Sequence, residues 1–326
     1  MAKVAVLGGV GYAGAIAAQL LYRHPFFELA HVTARAEAGQ RLADVHPRTR
    51  VPLELEVFDV SKHAVDAAVV AYPHGAAAPV VAELREQGVR VVDLSADFRL
   101  HDRGTYEEWY GEHGAPGLLG DAVYGLPELH REAIAGAELV GNPGCYPTAV
   151  ILALAPLARA RLLGDVVIDA KSGVSGAGRE PSHGKHFVTV DETVTPYKVG
   201  AHRHTPEIEQ ELGGDVRVTF TPHLVPLAHG ELVSCYVTPA REANGVRELY
   251  DEAYGDEPWV EVVDDPPGMQ EVRETNFCRI SVHEDRHSRR LIVFATIDNL
   301  WKGTSSQAVQ NLNLMFGRDE SEGLAA

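Results

Sequence analysis

Three observations predict an α/β protein of two domains. The chain has 326 residues, more than a single small core organises. Up to about residue 163, short apolar runs alternate with helix-spaced stretches, the pattern of a parallel sheet with right-handed crossovers. Beyond it the runs lengthen, several alternate apolar with polar residues, and helical spacing is sparse. That pattern predicts an α+β domain on a mixed or antiparallel sheet with one wet face.

In order, "KVAVLGG" is the first strand and "GAIAAQLLYRH" the first helix. "FELAHVTA", "AAVVAYP" and "VRVVDLSA" are the next three strands, with "AAAPVVAELREQG" a helix between the last two. "AELVGNPG" is a further strand that runs into "GNPGCYPT" at 141–148. In the second half, "DVVIDAKSGVSG", "DVRVTFTPHLVP", "GELVSCYVTPA", "NFCRISVHED" and "RRLIVFATIDN" read as strands, and "GVRELYDEAYG" as a helix. The last helix, "KGTSSQAVQNLNLMFG", carries Ala308, Val309, Leu312 and Met315 on one side and is expected to pack back on the first domain. "GRDESEGLAA" reads as a frayed tail.

Composition narrows the function. The chain has 46 acidic against 29 basic residues, a net charge of -17, which argues against nucleic acid and anionic membrane as partners. The N-terminus lacks the pattern of a signal peptide, and no apolar run reaches the roughly 20 residues that span a bilayer. Three cysteines, Cys145, Cys235 and Cys278, form no C-x-x-C pair, which fits a reducing cytoplasm and excludes a thiolate zinc site of the usual spacing. No metal is expected.

"VAVLGGVGYAG" sets Gly9, Gly11 and Gly14 in G-x-G-x-x-G spacing, preceded by Gly8, directly after a strand and at the head of a helix. Such a turn leaves bare backbone for a pyrophosphate and aims helix N–H groups at it, so a Rossmann-type dinucleotide site is expected, with Tyr12 and Ala13 in the same turn. The end of the second strand offers Thr33 and Arg35, with no carboxylate before Glu37. A hydroxyl and a cation suit a 2′-phosphate, which predicts NADP over NAD.

Cys145 follows Asn142, Pro143 and Gly144 and precedes Pro147, which places the thiol at a helix N-terminus. The helix field favours the thiolate, and the N–H groups there suit an oxyanion. Cys235 and Cys278 sit inside apolar strands and read as core. "AHRHTPEIE" offers His202, His204 and Glu207, with Thr205 as a cap and Pro206 in the first turn of a helix. "SGVSGAGR", ending in Arg179, and "LSADFR", ending in Arg99 just past a strand end, read as anion sites. A nucleotide loop, a thiol, a histidine and two anion sites together predict covalent reduction of an acyl phosphate through a thioester.

"GGVGYAG", "DLSADFRL", "VYGLPE", "GNPGCYPT", "SGVSGAGR", "PYKVGAHRHTPEI" and "DNLWKGTSSQAVQNLN" together resemble, in order and over nearly the whole chain, the N-acetyl-γ-glutamyl-phosphate reductases of the aspartate-semialdehyde dehydrogenase-like group. The resemblance implies NADPH-dependent reduction of N-acetyl-L-glutamyl 5-phosphate in cytoplasmic arginine biosynthesis, by a homodimer or homotetramer. It implies Cys145 as nucleophile and His204 as acid/base. Arg99, Asn142, Arg179, Tyr197, His202 and Glu207 are assigned to the substrate. Ser95, Ser175, Gly176, Asn299 and Lys302 join the glycine loop around NADP. It puts the domains at 1–144 with about 300–326, and at 145–299. Ser306 stands where the family usually has glycine or alanine. A relative acting on carrier-linked substrates would want a basic face, which the acidic total opposes. Reduction of aspartyl phosphate, a redox-inactive NADP-binding sensor and a thiol hydrolase are the other readings. The last two leave Cys145 or the glycine loop idle.

Overall fold

The computed structural model describes residues 1–324 and divides into two compact units, Met1–Gly144 with Thr304–Ala326, and Cys145–Gly303. The first unit is built on strands β1 (Ala2–Leu7), β2 (Phe27–Thr33), β3 (Leu55–Glu56), β4 (Ala67–Val70), β5 (Arg90–Asp93), β6 (Ala122–Tyr124) and β7 (Leu139–Gly141). They lie in the order β3-β2-β1-β4-β5-β7-β6, and every pairing is parallel. Val4 to Leu7 and all of β4 are fully buried, as a strand covered on both faces must be, and this is why they read as unbroken apolar runs. The order reverses at β1, the position where open α/β sheets take ligands. β3 and β6 are too short for a periodicity argument and enter the sheet only through their neighbours.

Helices α1 (Tyr12–Tyr22), α2 (Leu42–Val45), α3 (Ala78–Glu86), α4 (Arg103–Tyr110) and α5 (Pro127–Ala135) complete the first part of this unit. α3 has no capping side chain of its own. Asp97, beyond β5, supplies one: its carboxylate accepts from the N–H groups of Gly75 (2.7 Å), Ala77 (3.2 Å) and Ala78 (3.0 Å), and from the Tyr106 hydroxyl (2.8 Å). Half of the "DLSADFR" motif is thus a helix cap.

The second unit holds α6 (Cys145–Arg159), β8 (Leu163–Gly173), α7 (Phe187–Val190), β9 (Thr195–Pro196), α8 (Thr205–Glu211), β10 (Val218–Val225), β11 (Glu231–Pro239), α9 (Val246–Tyr254), β12 (Val260–Val262), β13 (Cys278–Glu284) and β14 (Leu291–Ile297). Its sheet runs β12-β13-β14-β11-β8-β10-β9. It is mixed: β8 and β10 are parallel, while β11 is antiparallel to both β8 and β14. α6 packs on β11 and β14 and is buried from Tyr146 to Leu157, which explains why it is apolar all round. Pro156 inside it cannot donate to the Leu152 carbonyl. The Tyr254 hydroxyl donates there instead at 2.6 Å, and the Tyr250 hydroxyl donates to the Ala153 carbonyl at 2.6 Å.

Helix α10 (Ser306–Met315) returns to the first unit, against α1, α5 and β5. The tail after it is not frayed, contrary to expectation. Glu320 pairs with Arg131 at 2.9 Å, the Glu322 carbonyl meets His24 Nε2 at 2.8 Å, and Leu324 is buried. The charged residues that made the tail look solvated are the ones that anchor it. Ala325 and Ala326 lie outside the described residues.

Candidate active site

The glycine loop assigns each glycine a different job. A Cβ at Gly9 would stand 2.1 Å from Val32 Cγ1, and one at Gly14 would stand 2.3 Å from the Gly8 carbonyl oxygen. Gly8 has φ +85°, and its Cβ would lie 2.5 Å from the Ala71 oxygen. Those three are required by the protein's own packing. At Gly11 a Cβ meets nothing closer than 3.6 Å, so the protein itself does not need a glycine there. A phosphate approaching bare backbone at the head of α1 would, and this is the role of the second glycine of a dinucleotide fingerprint. Thr33 closes β2, fully enclosed, and its Oγ1 has no hydrogen-bond partner among the described residues. Arg35 is exposed beyond it. A polar atom left open, a neighbouring cation and no carboxylate fit a phosphorylated ribose. Tyr12 opens α1, 38% exposed, with its ring edge-on to His46.

Cys145 is the first residue of α6 and half-buried, whereas Cys235 and Cys278 are fully buried. Burial pushes the Cys235 thiol far above the usual range. Next to Cys145, Tyr146 is the hub of an aromatic cluster: His202 lies 5.8 Å and His204 6.0 Å from its ring centroid, and the Tyr197 hydroxyl is 3.4 Å from its own. The structure therefore brings Tyr146, Tyr197, His202 and His204 together, with Cys145 the residue before Tyr146 in α6. His202 Nδ1 accepts from the His204 backbone N–H at 3.2 Å, which puts its proton on Nε2. Burial lowers the His202 pKa to about 4, with Lys198 and Arg203 acting the same way, so this ring stays neutral at physiological pH. Half-buried His204, not Thr205, is the residue that caps α8, and its own side chain makes no capping bond. Glu207 is buried in the first turn of α8.

Asn299 ties two loops. Its Nδ2 donates to Ser175 Oγ at 2.9 Å and its Oδ1 accepts from the Gly230 N–H at 2.8 Å, while a Cβ at Gly176 would lie 3.5 Å from the same Nδ2. Ser175, Gly176 and Asn299 thus form one patch. Lys302 is fully buried in a π-helical turn, Trp301–Ser305. Arg179 stands exposed.

Three expected ligand contacts prove to be engaged within the first unit. Arg99 is buried, and its Nε and Nη2 donate to the carbonyls of Asn142 (2.7 Å) and Leu94 (2.8 Å). Asn142 donates from Nδ2 to the Thr304 carbonyl at 3.0 Å and accepts at Oδ1 from Asn311 at 3.1 Å. The Ser95 hydroxyl donates to Asp93 at 2.6 Å. Burial raises that Asp93 carboxyl to about 7, opposed by the bonds from Ser95. Polar groups buried at strand ends must find partners, and here backbone carbonyls and neighbouring side chains supply them.

Among the described residues one cluster has metal-ligand proximity: Glu56 Oε2 lies 3.1 Å from His31 Nδ1 and 2.9 Å from His63 Nε2. The Asp59 N–H donates to His63 Nδ1 at 3.0 Å, so the ring proton sits on Nε2 and points at Glu56. That is a hydrogen-bonded trio rather than a cation site.

Residues 3–137 match the family described as semialdehyde dehydrogenase, NAD binding domain, and residues 145–299 the one described as semialdehyde dehydrogenase, dimerisation domain. An N-acetyl-gamma-glutamyl-phosphate reductase from Desulforudis audaxviator is 48% identical over 99% of this chain and 98% of its own. One from Ectopseudomonas mendocina is 46% identical over 100% of this chain and 98% of its own. Among solved structures, aspartate semialdehyde dehydrogenase II from Vibrio cholerae has the same fold at TM-score 0.76 and 18% identity, over 97% of this chain and 98% of that one. Aspartate semialdehyde dehydrogenase with NADP from Candida albicans gives 0.73 at 14% identity, over 97% and 98%.

Proposed function

The chain belongs to the N-acetyl-gamma-glutamyl-phosphate reductase family, and we propose that it reduces N-acetyl-L-glutamyl 5-phosphate to N-acetyl-L-glutamate 5-semialdehyde with NADPH, releasing phosphate, in arginine biosynthesis. The observation that carries the chemistry is Cys145 at the first position of a fifteen-residue buried helix, next in the chain to Tyr146, whose ring packs against two histidines.

The positive end of α6 favours a thiolate at Cys145. The thiolate attacks the acyl carbon, the C–O bond to phosphate breaks, and a thioester to Cys145 remains. NADPH, when bound along the Gly8–Gly14 turn and Thr33, supplies the hydride. His204 gives a proton to the carbonyl oxygen as charge develops, or removes it as the hemithioacetal collapses. His202, kept neutral by burial, serves as a fixed hydrogen-bonding wall and holds the entry to α8 in place. Tyr197 and Glu207 border the substrate. Arg179, an exposed cation, meets the incoming phosphate. Residues 145–299 match a dimerisation domain, and we assign a homodimer or homotetramer in the cytoplasm. Among the described residues no helix is long and apolar enough to cross a membrane.

The reverse reaction tests this without the unstable acyl phosphate. N-acetylglutamate semialdehyde, phosphate and NADP⁺ are expected to yield NADPH with the wild type, and Cys145→Ser to fall below about a thousandth of that rate. Turnover retained in the variant would remove the thioester route. Turnover only with aspartate semialdehyde, or with a carrier-linked substrate, would replace the substrate.

A further inference from the structure

Asn142 precedes Cys145 by three residues, and all four of its polar groups are held inside the first unit. Its N–H donates to the Asp93 carbonyl of β5 at 2.8 Å, and its carbonyl accepts from Arg99 Nε at 2.7 Å. Its Nδ2 donates to the Thr304 carbonyl at 3.0 Å, and its Oδ1 accepts from Asn311 Nδ2 at 3.1 Å. Asn311 lies in the middle of α10 and is fully buried. The same Nδ2 donates to the Gly125 carbonyl at 2.9 Å, so both amide hydrogens are used. Two glycines leave room for this arrangement. A Cβ at Gly125 would stand 2.5 Å from Asn311 Nδ2, and one at Gly141 would stand 2.2 Å from the Phe98 carbonyl oxygen. Two residues on, Asn313 is equally buried but donates to the tail, to the carbonyls of Glu320 (3.2 Å) and Glu322 (2.8 Å).

We propose that Asn311 is a positioning residue for the nucleophile: through Asn142 it sets the turn 141–144 and, through the turn, the head of α6 where the thiol lies. This rests on the acyl-phosphate reaction assigned above. Gly141 and Gly144 bring no side chain to that turn, and Pro143 brings no N–H. The shape of the turn therefore depends on what holds Asn142. The chain entering a helix fixes where the first N–H groups point, and those groups favour Cys145 as the thiolate. The bonds of Asn311 go to Asn142 and Gly125, so it acts through the turn.

Asparagine is a poor helix former and a costly residue to bury, so one inside a wholly buried helix needs a polar task. For Asn313 that task is the tail, and for Asn311 it is the turn. The task bears on rate because a reacting atom misplaced by about 1 Å costs about 10²-fold. The sequence hides this: the two asparagines are 169 residues apart, and Asn311 reads as one of several polar residues in a C-terminal helix.

Asn311→Ala and Asn313→Ala, compared with the wild type, test the proposal, because both strip a buried amide from the same helix and only the first reaches the turn. Both are expected to lower the melting temperature by a few degrees. In reverse turnover Asn311→Ala is expected to lose about tenfold to 10²-fold in kcat with little change in KM for the semialdehyde, while Asn313→Ala keeps the wild-type kcat. Iodoacetamide alkylation of Cys145, followed by mass spectrometry across pH, is expected to show a higher half-maximal pH in Asn311→Ala and the wild-type value in Asn313→Ala. Asn142→Ala combined with Asn311→Ala is expected to lose no more kcat than Asn142→Ala alone, since both act on one turn. An equal loss of kcat in Asn311→Ala and Asn313→Ala would mean general softening of the helix and overturns the proposal. A wild-type kcat or an unmoved half-maximal pH in Asn311→Ala, or multiplied losses in the double variant, also overturns it. If Asn311→Ala does not fold, Asn311→Ser carries the same comparison with the same outcomes. Failure of the wild type to turn over the semialdehyde would sink the reaction assigned above, while the alkylation profile would still report on Asn311.

Discussion

At the scale of single residues, the glycine loop separates two demands that one motif merges. Gly14→Ala forces a Cβ to within 2.3 Å of backbone and is expected to cost several degrees of melting temperature. Gly11→Ala has room, so its melting temperature is expected to stay near wild type while NADPH binding weakens at least tenfold by calorimetry. Equal effects of the two on stability would show that Gly11 too is held by the protein. His202 makes a pH prediction. Its pKa falls from 6.5 to about 4 on folding. Between those values the unfolded chain binds a proton that the folded chain refuses, so stability is full above 6.5 and falls as pH drops toward 4. The loss is on the order of 3 kcal/mol, and His202→Asn is expected to flatten that acid slope in urea melts. The same pair of variants separates the histidines in catalysis: His204→Asn is expected to lower turnover about 10²-fold or more, and His202→Asn less. Loss of turnover from His202→Asn alone would reverse the assignment.

At the scale of elements, α6 shows how a helix tolerates a proline. Pro156 leaves the Leu152 carbonyl without its helical donor, and a tyrosine from α9 supplies one. Tyr254→Phe strands a buried carbonyl and is expected to destabilise by about 1–3 kcal/mol in denaturant melts, with turnover unchanged at 25 °C. The C-terminal tail behaves the same way in reverse. Its acidic residues looked solvated because sequence shows charge but not partners, yet Glu320 bonds Arg131 and also Gln310, at 2.9 and 2.8 Å. Removing residues 318–326 is expected to lower the melting temperature by a few degrees, and no change would mean that these contacts are idle.

At the scale of the molecule, the chain enters the second unit at Cys145 and leaves it at Gly303, and the two residues touch there. The nucleophile is therefore set by packing at both ends of a 159-residue excursion. Gly303→Ala is expected to displace the thiol and cut turnover about 10²-fold, with the semialdehyde KM less affected. An alanine variant of full activity would show that the contact relaxes freely.

What the sequence determined by itself was local. The strand–glycine–helix start, the thiol on a proline-flanked helix head and the absence of a carboxylate after β2 all lie within a dozen residues of chain. Their chemistry follows from backbone geometry that neighbours in sequence impose. The alternation of apolar runs likewise determined a parallel sheet followed by a mixed one, because burial on one or two faces leaves its period in the chain. What only the tertiary structure decided was which polar groups remain available. Arg99 and Asn142 read as ligand contacts and also bond carbonyls and a carboxamide distant in the chain, whereas the Ser95 hydroxyl bonds Asp93 two residues away. Asp97 read as part of an anion loop and is the cap of α3. A hydrogen bond or a burial shift depends on atoms distant in sequence, and no local pattern records which of them the fold brings near.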